Sequence, residues 1–258
     1  MIISFNDDVQ MNYIKVTPAN VSDYGIFCIK DKKSIGYKKK VAWFKNKLNS
    51  GLEIIIAVNE ENKQVGFIEY IPSELAWRPI NAKNYLFIQC IALFTKNARN
   101  KSVGSKLIEL CEADGKLLNK NGICTMTSNG PWMANSSIFI RQGYHIADQK
   151  GRFELLSKPF RKTASEPIFN DWEKEQKRYK GWHLVYSDQC PWHEKAIIAL
   201  HSTAIDHNID LNITKIKTAI EAQYAPSGFG TFTLIRNGNV LADHYISKTR
   251  FENIIRKN

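Results

Sequence analysis

The chain has 258 residues, 43% hydrophobic and 24% charged, and 36 Lys and Arg against 25 Asp and Glu leave a formal net charge of +11. This is a globular composition, long enough for two ordinary domains or one large one, and it excludes a disordered chain. The charge is spread along the sequence with no basic tail or nucleic-acid motif, and no apolar run approaches the roughly 20 residues that span a bilayer, so nucleic acid and membrane are not expected partners.

The opening residues, Met1 to Asp8, lack a basic region followed by an apolar run, and a cytoplasmic location is the expectation. Residues 13–17 alternate as a first strand. Tyr37, Val41, Phe44 and Leu48 then recur at helical spacing among Lys38, Lys39, Lys40, Lys45 and Lys47, and Asn49-Ser50-Gly51 supplies the stop. Residues 52–58 and 64–71 read as paired strands around the turn 59–63. In the second of them Val65, Phe67, Glu69 and Ile71 fall on one face, because side chains alternate. A carboxylate among apolar neighbours has its pKa raised toward the range useful for proton removal, which makes Glu69 the first candidate base and Glu74 the next. The alternative is a surface-paired glutamate. The stretch 74–80 carries large side chains for a loop, and either walls a site or packs over the sheet.

Next comes an apolar strand, 88–94, running into a basic turn, 95–105, and then a helix. Val103, Leu107, Leu110, Cys111, Asp114 and Leu118 set the helical spacing and Asn121-Gly122 ends it. The first turn of a helix leaves backbone N–H groups without partners and carries partial positive charge, so phosphate binds there readily. Arg99 and Lys101 add full charges, and Gly104 has no Cβ to hold a ligand off. The plain alternative is a basic turn capping a core helix. A strand at 123–127 and a segment from Trp132 to Tyr144 follow.

The turn resembles the pyrophosphate loop of the GNAT acyltransferases, R/Q-x-x-G-x-G/A, with Arg99 first and Gly104-Ser105 last; Ser102 stands where glycine is usual. The run from Asn135 to Gly143-Tyr144 resembles that family's later helix. The resemblance implies acetyl-CoA as co-substrate and an amine as acceptor. It implies that Ile91 and Leu93 offer backbone groups to the pantetheine arm, and that Arg99, Asn100, Lys101, Ser102, Val103, Gly104 and Ser105 cradle the diphosphate. Asn135 either bonds the cofactor or caps the helix beginning at Ser136. The lysine-rich helix would border the acceptor pocket, as a basic rim or as a solvated face. Phe139 lies near the point where many members have a tyrosine that protonates the leaving thiolate, and water would have to serve instead.

Residues 159–180 turn charged and irregular, with Pro159, Pro167 and the run 173–178, and are read as a linker between domains at 1–158 and 181–258. Part of this stretch could be helical, with Trp172, Gln176 and Tyr179 touching a domain. After Gly181 a strand (182–186), a helix opened by Cys190-Pro191-Trp192-His193, a strand (211–216), a short helix (218–223), a hairpin turning at Asn237-Gly238 and a last helix (248–255) are expected. This β-α-β-α-β-β-α order resembles thioredoxin, with Cys190 as the first active cysteine, His193 in place of the second, and Gly230 near the usual cis-proline. Cys190 at a helix start is the redox candidate, the alternative being a retired redox fold used for docking or substrate binding. The five cysteines, Cys28, Cys90, Cys111, Cys124 and Cys190, are odd in number and never spaced C-x-x-C, so neither a disulfide framework nor a metal site is expected.

Together these features resemble GNAT enzymes with a YoaP-type thioredoxin-like extension. The expected fold is α/β (α+β), a GNAT unit followed by a small thioredoxin-like unit. The expected activity is direct acetyl transfer from acetyl-CoA to a primary amine, of a small molecule. The alternative is a CoA-sensing thiol-redox or binding protein that uses Cys190.

Overall fold

A computed structural model describes residues 11–24, 29, 31–95, 98 and 102–257. Seven strands form the first sheet: β1 (Asn12–Lys15), β2 (Glu53–Val58), β3 (Gln64–Pro72), β5 (Tyr85–Leu93), β6 (Gly122–Ser128), β7 (His145–Lys150) and β8 (Phe153–Pro159). Their order is β1-β2-β3-β5-β6-β8-β7. Neighbours are antiparallel except β5 and β6, which run parallel and pair only from Tyr85 to Ile88 against Gly122 to Thr125. Beyond Ile88 the pairing of β5 with β6 ends among the described residues, which leaves room beside β5 for an extended ligand.

Two bulges set which side chains face the cleft. At the first, Ala57 faces Gly66 and Val58 faces Gln64, leaving Val65 as the extra residue. Val65 therefore packs with Ile68 and Tyr70 on the opposite face, and the expected apolar row reduces to Phe67, Glu69 and Ile71. At the second, Glu69 faces Cys90 and Tyr70 faces Ile88, leaving Gln89 as the extra residue.

Among the helices, α1 is Val21–Tyr24, α2 Ile35–Lys47, α3 Val103–Leu117 and α4 the single turn Ser137–Ile140. Ser34 caps α2 by accepting from Tyr37 N–H at 3.3 Å, and Gly51, with φ of 79°, ends the 3-10 turn that follows. A Cβ on Gly104 would lie 2.7 Å from Ile138 Cδ1 and 3.3 Å from Leu93 Cδ1. Glycine at this position is thus needed for α3 to sit against β5 and α4.

The second sheet has the order β11-β10-β12-β13. Here β10 is Trp182–Tyr186, β11 Leu211–Lys215, β12 Phe232–Arg236 and β13 Asn239–Ala242; α6 is His193–Asp206, α7 Ala219–Gln223 and α8 Lys248–Lys257. The first two strands are parallel and the rest antiparallel, giving the expected β-α-β-α-β-β-α order. Asn237 and Gly238 both have positive φ, 49° and 80°, as a tight hairpin turn requires.

Residues 159–180 are more than a tether. They contribute β9 (Ile168–Phe169), which pairs with β4 (Ile80–Asn81), and α5 (Trp172–Gln176). Trp172 is buried edge-on against Phe153 and Phe169, and Gln176 Nε2 donates to Pro226 O at 3.0 Å. Trp172 also belongs to an apolar cluster joining Tyr85, Phe87 and Leu155 of the first sheet to Leu184, Phe232 and Phe251 of the second region. A second cluster joins Trp43, Phe44 and Trp77 to Val185, Ile216 and Ala222. Around these, Arg152 donates to both oxygens of Asp243 at 3.0 and 2.8 Å, and Lys39 meets Glu194 at 2.6 Å. Burial raises the Asp243 pKa, but hydrogen bonds from His244 and Arg152 outweigh it and bring the value to about 2.

Candidate active site

Where β5 and β6 part, a cavity of about 300 Å³ opens toward the second sheet, within the size range of small-molecule sites. One wall is Ile88 to Ala92 of β5 with Thr125 and Met126 of β6; the facing wall is Gln189 to His193 with Phe229 and Tyr245. The lysine-rich helix and the Cys-Pro turn meet at its side. A Cβ on Gly36 would stand 2.0 Å from Pro191 O, so only glycine lets α2 come this close to the turn.

Glu69 lies at the centre with 1% of its surface exposed. Its Oε2 is held by the ammonium of Lys40, itself 2% exposed, and its Oε1 accepts from Gln89 Nε2 at 3.2 Å and Gln189 Nε2 at 2.9 Å. Each partner comes from a different element: α2, the β5 bulge, and the loop before Cys190. Three of the roughly four acceptor positions of this carboxylate are filled, leaving one for a further donor. Gln89 is fixed in turn, since its Oε1 accepts from Trp77 N–H at 2.8 Å.

Arg78 is 5% exposed and faces the same cavity. Its Nη1 donates to Trp77 O and Thr231 Oγ1, both at 3.0 Å, and its guanidinium lies 4.8 Å from the Phe229 ring centroid. Burial pulls the Arg78 pKa below its usual value, while the negative forms of Cys90, Cys190 and Glu69 oppose the shift. Gly230, at φ of 74°, makes the close approach work: a Cβ there would meet Arg78 Cα at 3.0 Å and Trp77 O at 3.1 Å.

His193 is buried, and its Nδ1 lies 2.9 Å from Ser187 O, so the neutral ring carries its proton on Nδ1. Burial pushes its pKa down to about 4; the Ser187 bond opposes this and the charges of Arg78 and Lys40 reinforce it. At the rim Trp132, with φ of 68°, packs on Trp192 and Tyr245 at centroid distances of 5.9 and 5.2 Å.

Of the residues expected from the sequence, Glu69, Ile91 and Cys190 line the cavity. Glu74 does not: it is exposed, and its Oε1 accepts from Asn84 N–H at 2.6 Å, bracing the turn before β5. Leu93 turns its side chain toward α3, while its backbone lies beyond the last pair that β5 makes with β6. Arg99, Asn100 and Lys101 lie outside the described residues. Ser102 is exposed in the left-handed conformation, φ 56°, immediately before α3; Val103 and Gly104 are buried and Ser105 is half-buried. The left-handed backbone at Ser102 accounts physically for the glycine usual there in similar loops. Asn135 precedes Ser136, the residue at the cap position of α4; its Oδ1 accepts from Ser137 N–H at 2.9 Å, two residues on, and its Nδ2 donates to Asn129 Oδ1 at 2.8 Å. Phe139 is a fully buried core residue packed on Tyr144, which explains an apolar ring at that point. Among the described residues no group of three or more His, Cys, Asp or Glu side chains could hold a metal. No described helix is long and apolar enough to cross a membrane.

Seven strands in this order, with one parallel central pair that splays beside a helix amino-terminus, form a mixed α/β sheet similar to that of GNAT-type acyltransferases, here followed by a second α/β unit. The YoaP-like family profile matches residues 210–253, within that second unit. Over 251 residues, 95% of this chain and 98% of the relative, the sequence is 26% identical to the N-acetyltransferase YoaP of Bacillus subtilis (strain 168). Solved structures similar to it include a GNAT-family acetyltransferase of Staphylococcus aureus Mu50, at 17% identity and a TM-score of 0.43, covering 59% of this chain and 100% of that one. Another is the PaiA N-acetyltransferase of Thermoplasma acidophilum in complex with coenzyme A, at 15% identity and a TM-score of 0.43, covering 59% and 100%.

Proposed function

We propose that the protein is an N-acetyltransferase that moves an acetyl group from acetyl-CoA to the primary amine of a small acceptor bound in the cavity between the two sheets. The observation that carries this reading is the splay of β5 from β6, which opens directly onto the cavity holding Glu69. The residues fit the co-substrate: β5 at Ile91 and Leu93, beyond its last pair with β6, suits a pantetheine arm, and the first turn of α3 beside Ser102 suits a diphosphate. Acetyl-CoA supplies an activated thioester, so that the amine nitrogen forms the new N–C bond, the C–S bond breaks, and the proton shed by nitrogen ends on the CoA sulfur.

The chain's own part is to bind and orient the amine and to take its proton. Glu69 is the base, directly or through one water, and Lys40, Gln89 and Gln189 hold its carboxylate in place. In this reading residues 1–158 and 181–258 are two units joined by 159–180, and both supply walls of one site. Cys190 is then part of the acceptor wall rather than a separate redox centre.

Calorimetry with acetyl-CoA, followed by amine-dependent release of CoA, tests the reading. Glu69→Gln is expected to keep acetyl-CoA binding while lowering kcat on the order of 100-fold or more. Cys190→Ser should retain turnover at saturating amine. Absence of acetyl-CoA binding, or loss of turnover in Cys190→Ser with Glu69→Gln unaffected, would overturn it in favour of thiol chemistry at Cys190.

A further inference from the structure

Arg78 combines two properties that are costly together, near-complete burial and unfilled donors. Of its five N–H groups, only those of Nη1 are engaged, with Trp77 O and Thr231 Oγ1. Nε and Nη2 have no hydrogen-bond partner among the described residues, neither is among the polar atoms sealed from solvent, and Arg78 lines the cavity. These two nitrogens form one straight edge of the guanidinium, the edge that matches the two oxygens of a carboxylate. Lys40, the other buried cation here, is already committed to Glu69. The fixed charges facing the cavity, Lys40, Glu69 and Arg78, therefore sum to one positive charge, with His193 neutral near pH 7.

Glu69 is close enough for its charge to act on Arg78, and one of its acceptor positions is open. An anion-binding edge beside an amine-facing carboxylate reproduces the charge separation of an α-amino acid, whose ammonium and carboxylate flank a single carbon. The remaining surface is apolar and aromatic, with Phe67, Met126, Met133, Trp192 and Phe229 among its walls.

We propose that the acceptor is an α-amino acid with an apolar or aromatic side chain, its carboxylate gripped by Nε and Nη2 of Arg78 and its amine presented to Glu69. This rests on the acetyltransferase reading above and assigns the substrate class within it. Arg78 selects; it takes no part in bond making.

The test compares L-phenylalanine, L-methionine and L-leucine with their carboxamides and their decarboxylated amines, scoring CoA release and acetylated product by mass. The amino acids are expected to exceed both analogue sets in kcat/KM on the order of 100-fold, the scale of a charge-assisted bidentate contact. Arg78→Met should erase that preference, raising the KM of the amino acids by far more than that of the carboxamides. Arg78→Lys, which keeps the charge without the fork, should fall between the two and serves as the folding control. Equal or better turnover of carboxamides or decarboxylated amines by the native protein would overturn the assignment. So would an equal loss for all three sets in a folded Arg78→Met protein. If no amine is acetylated although acetyl-CoA binds, the transferase reading fails instead, and calorimetry with N-acetyl-L-phenylalanine and its carboxamide still decides the role of Arg78. Binding of the acid alone, lost in Arg78→Met, supports the carboxylate grip; binding of neither or of both equally refutes it.

Discussion

His193 stands three positions after Cys190, where the resolving cysteine of a dithiol pair would be, and the fold has made it a core residue between Phe229 and Phe232. Its pKa of about 4 lies below the ordinary histidine value of 6.5 because burial penalises the charged ring. Between those values the unfolded chain binds more protons than the folded one, so stability is full above pH 6.5 and falls as the pH drops toward 4, by about 3 kcal/mol in all. Asp243, with its pKa lowered to about 2, supplies stability that is lost only below its ordinary value of 3.8, outside that window. Urea unfolding at pH 7 and pH 4.5 should show this drop in the native protein and most of it removed in His193→Gln. An unchanged pH dependence in the variant would place the effect elsewhere. At this scale Glu69 was legible, because an acidic residue in an alternating apolar strand is conspicuous. Lys40 was not, since nothing in the run 38–40 marks which lysine is buried, and Gln189 reaches Glu69 across 120 positions of chain. Arg78 was hidden in a loop whose large side chains fitted a site wall and simple packing equally well.

Helix α2 shows which properties of an element its own sequence carries. Its existence and its stop followed from Tyr37, Val41, Phe44 and Leu48 at helical spacing and from Gly51; its orientation depends on a partner 155 residues away, through Lys39 and Glu194. The lysines expected as a rim or a solvated face divide accordingly, Lys40 inward to Glu69 and Lys39 across to α6. The register of β3 failed at Val65 because a bulge leaves no mark in hydrophobic alternation when the extra residue is itself apolar. Gly36→Ala tests the contact that seats α2. The added methyl would collide with the carbonyl of Pro191, so helix and turn must separate, at a cost of about 1–3 kcal/mol. Because the same movement shifts Lys40 away from Glu69 and Gln189, the KM for the amine should rise with little change in acetyl-CoA affinity. Unaltered stability and KM would mean that α2 and the turn move independently.

The sequence reads as two units with an irregular connector, because each half has its own complete order of strands and helices and the stretch between is charged. Such a reading sees local order and is blind to shared burial. Tyr85, Phe87 and Leu155 on one side and Leu184, Phe232 and Phe251 on the other are unexceptional core residues in isolation, yet they close on one another through Trp172. Removing either half would expose these faces, at roughly 1.5–3 kcal/mol for each large side chain returned to water. The intact chain is therefore expected to unfold in one transition, with far-ultraviolet dichroism, tryptophan fluorescence and calorimetry giving coincident midpoints. Trp172→Ala should lower that single midpoint by the loss of a large core side chain, about 3–5 kcal/mol, and carry both sheets with it, although the residue lies in the connector. Two separate transitions, with only one moved by the substitution, would mean that each half holds its structure alone. The site would then be an assembly of prebuilt walls, free to open and close about residues 159–180, and acceptor binding should raise the midpoint of both transitions toward each other. With a single transition, acceptor binding instead raises one midpoint, and the cavity is as rigid as the core that surrounds it.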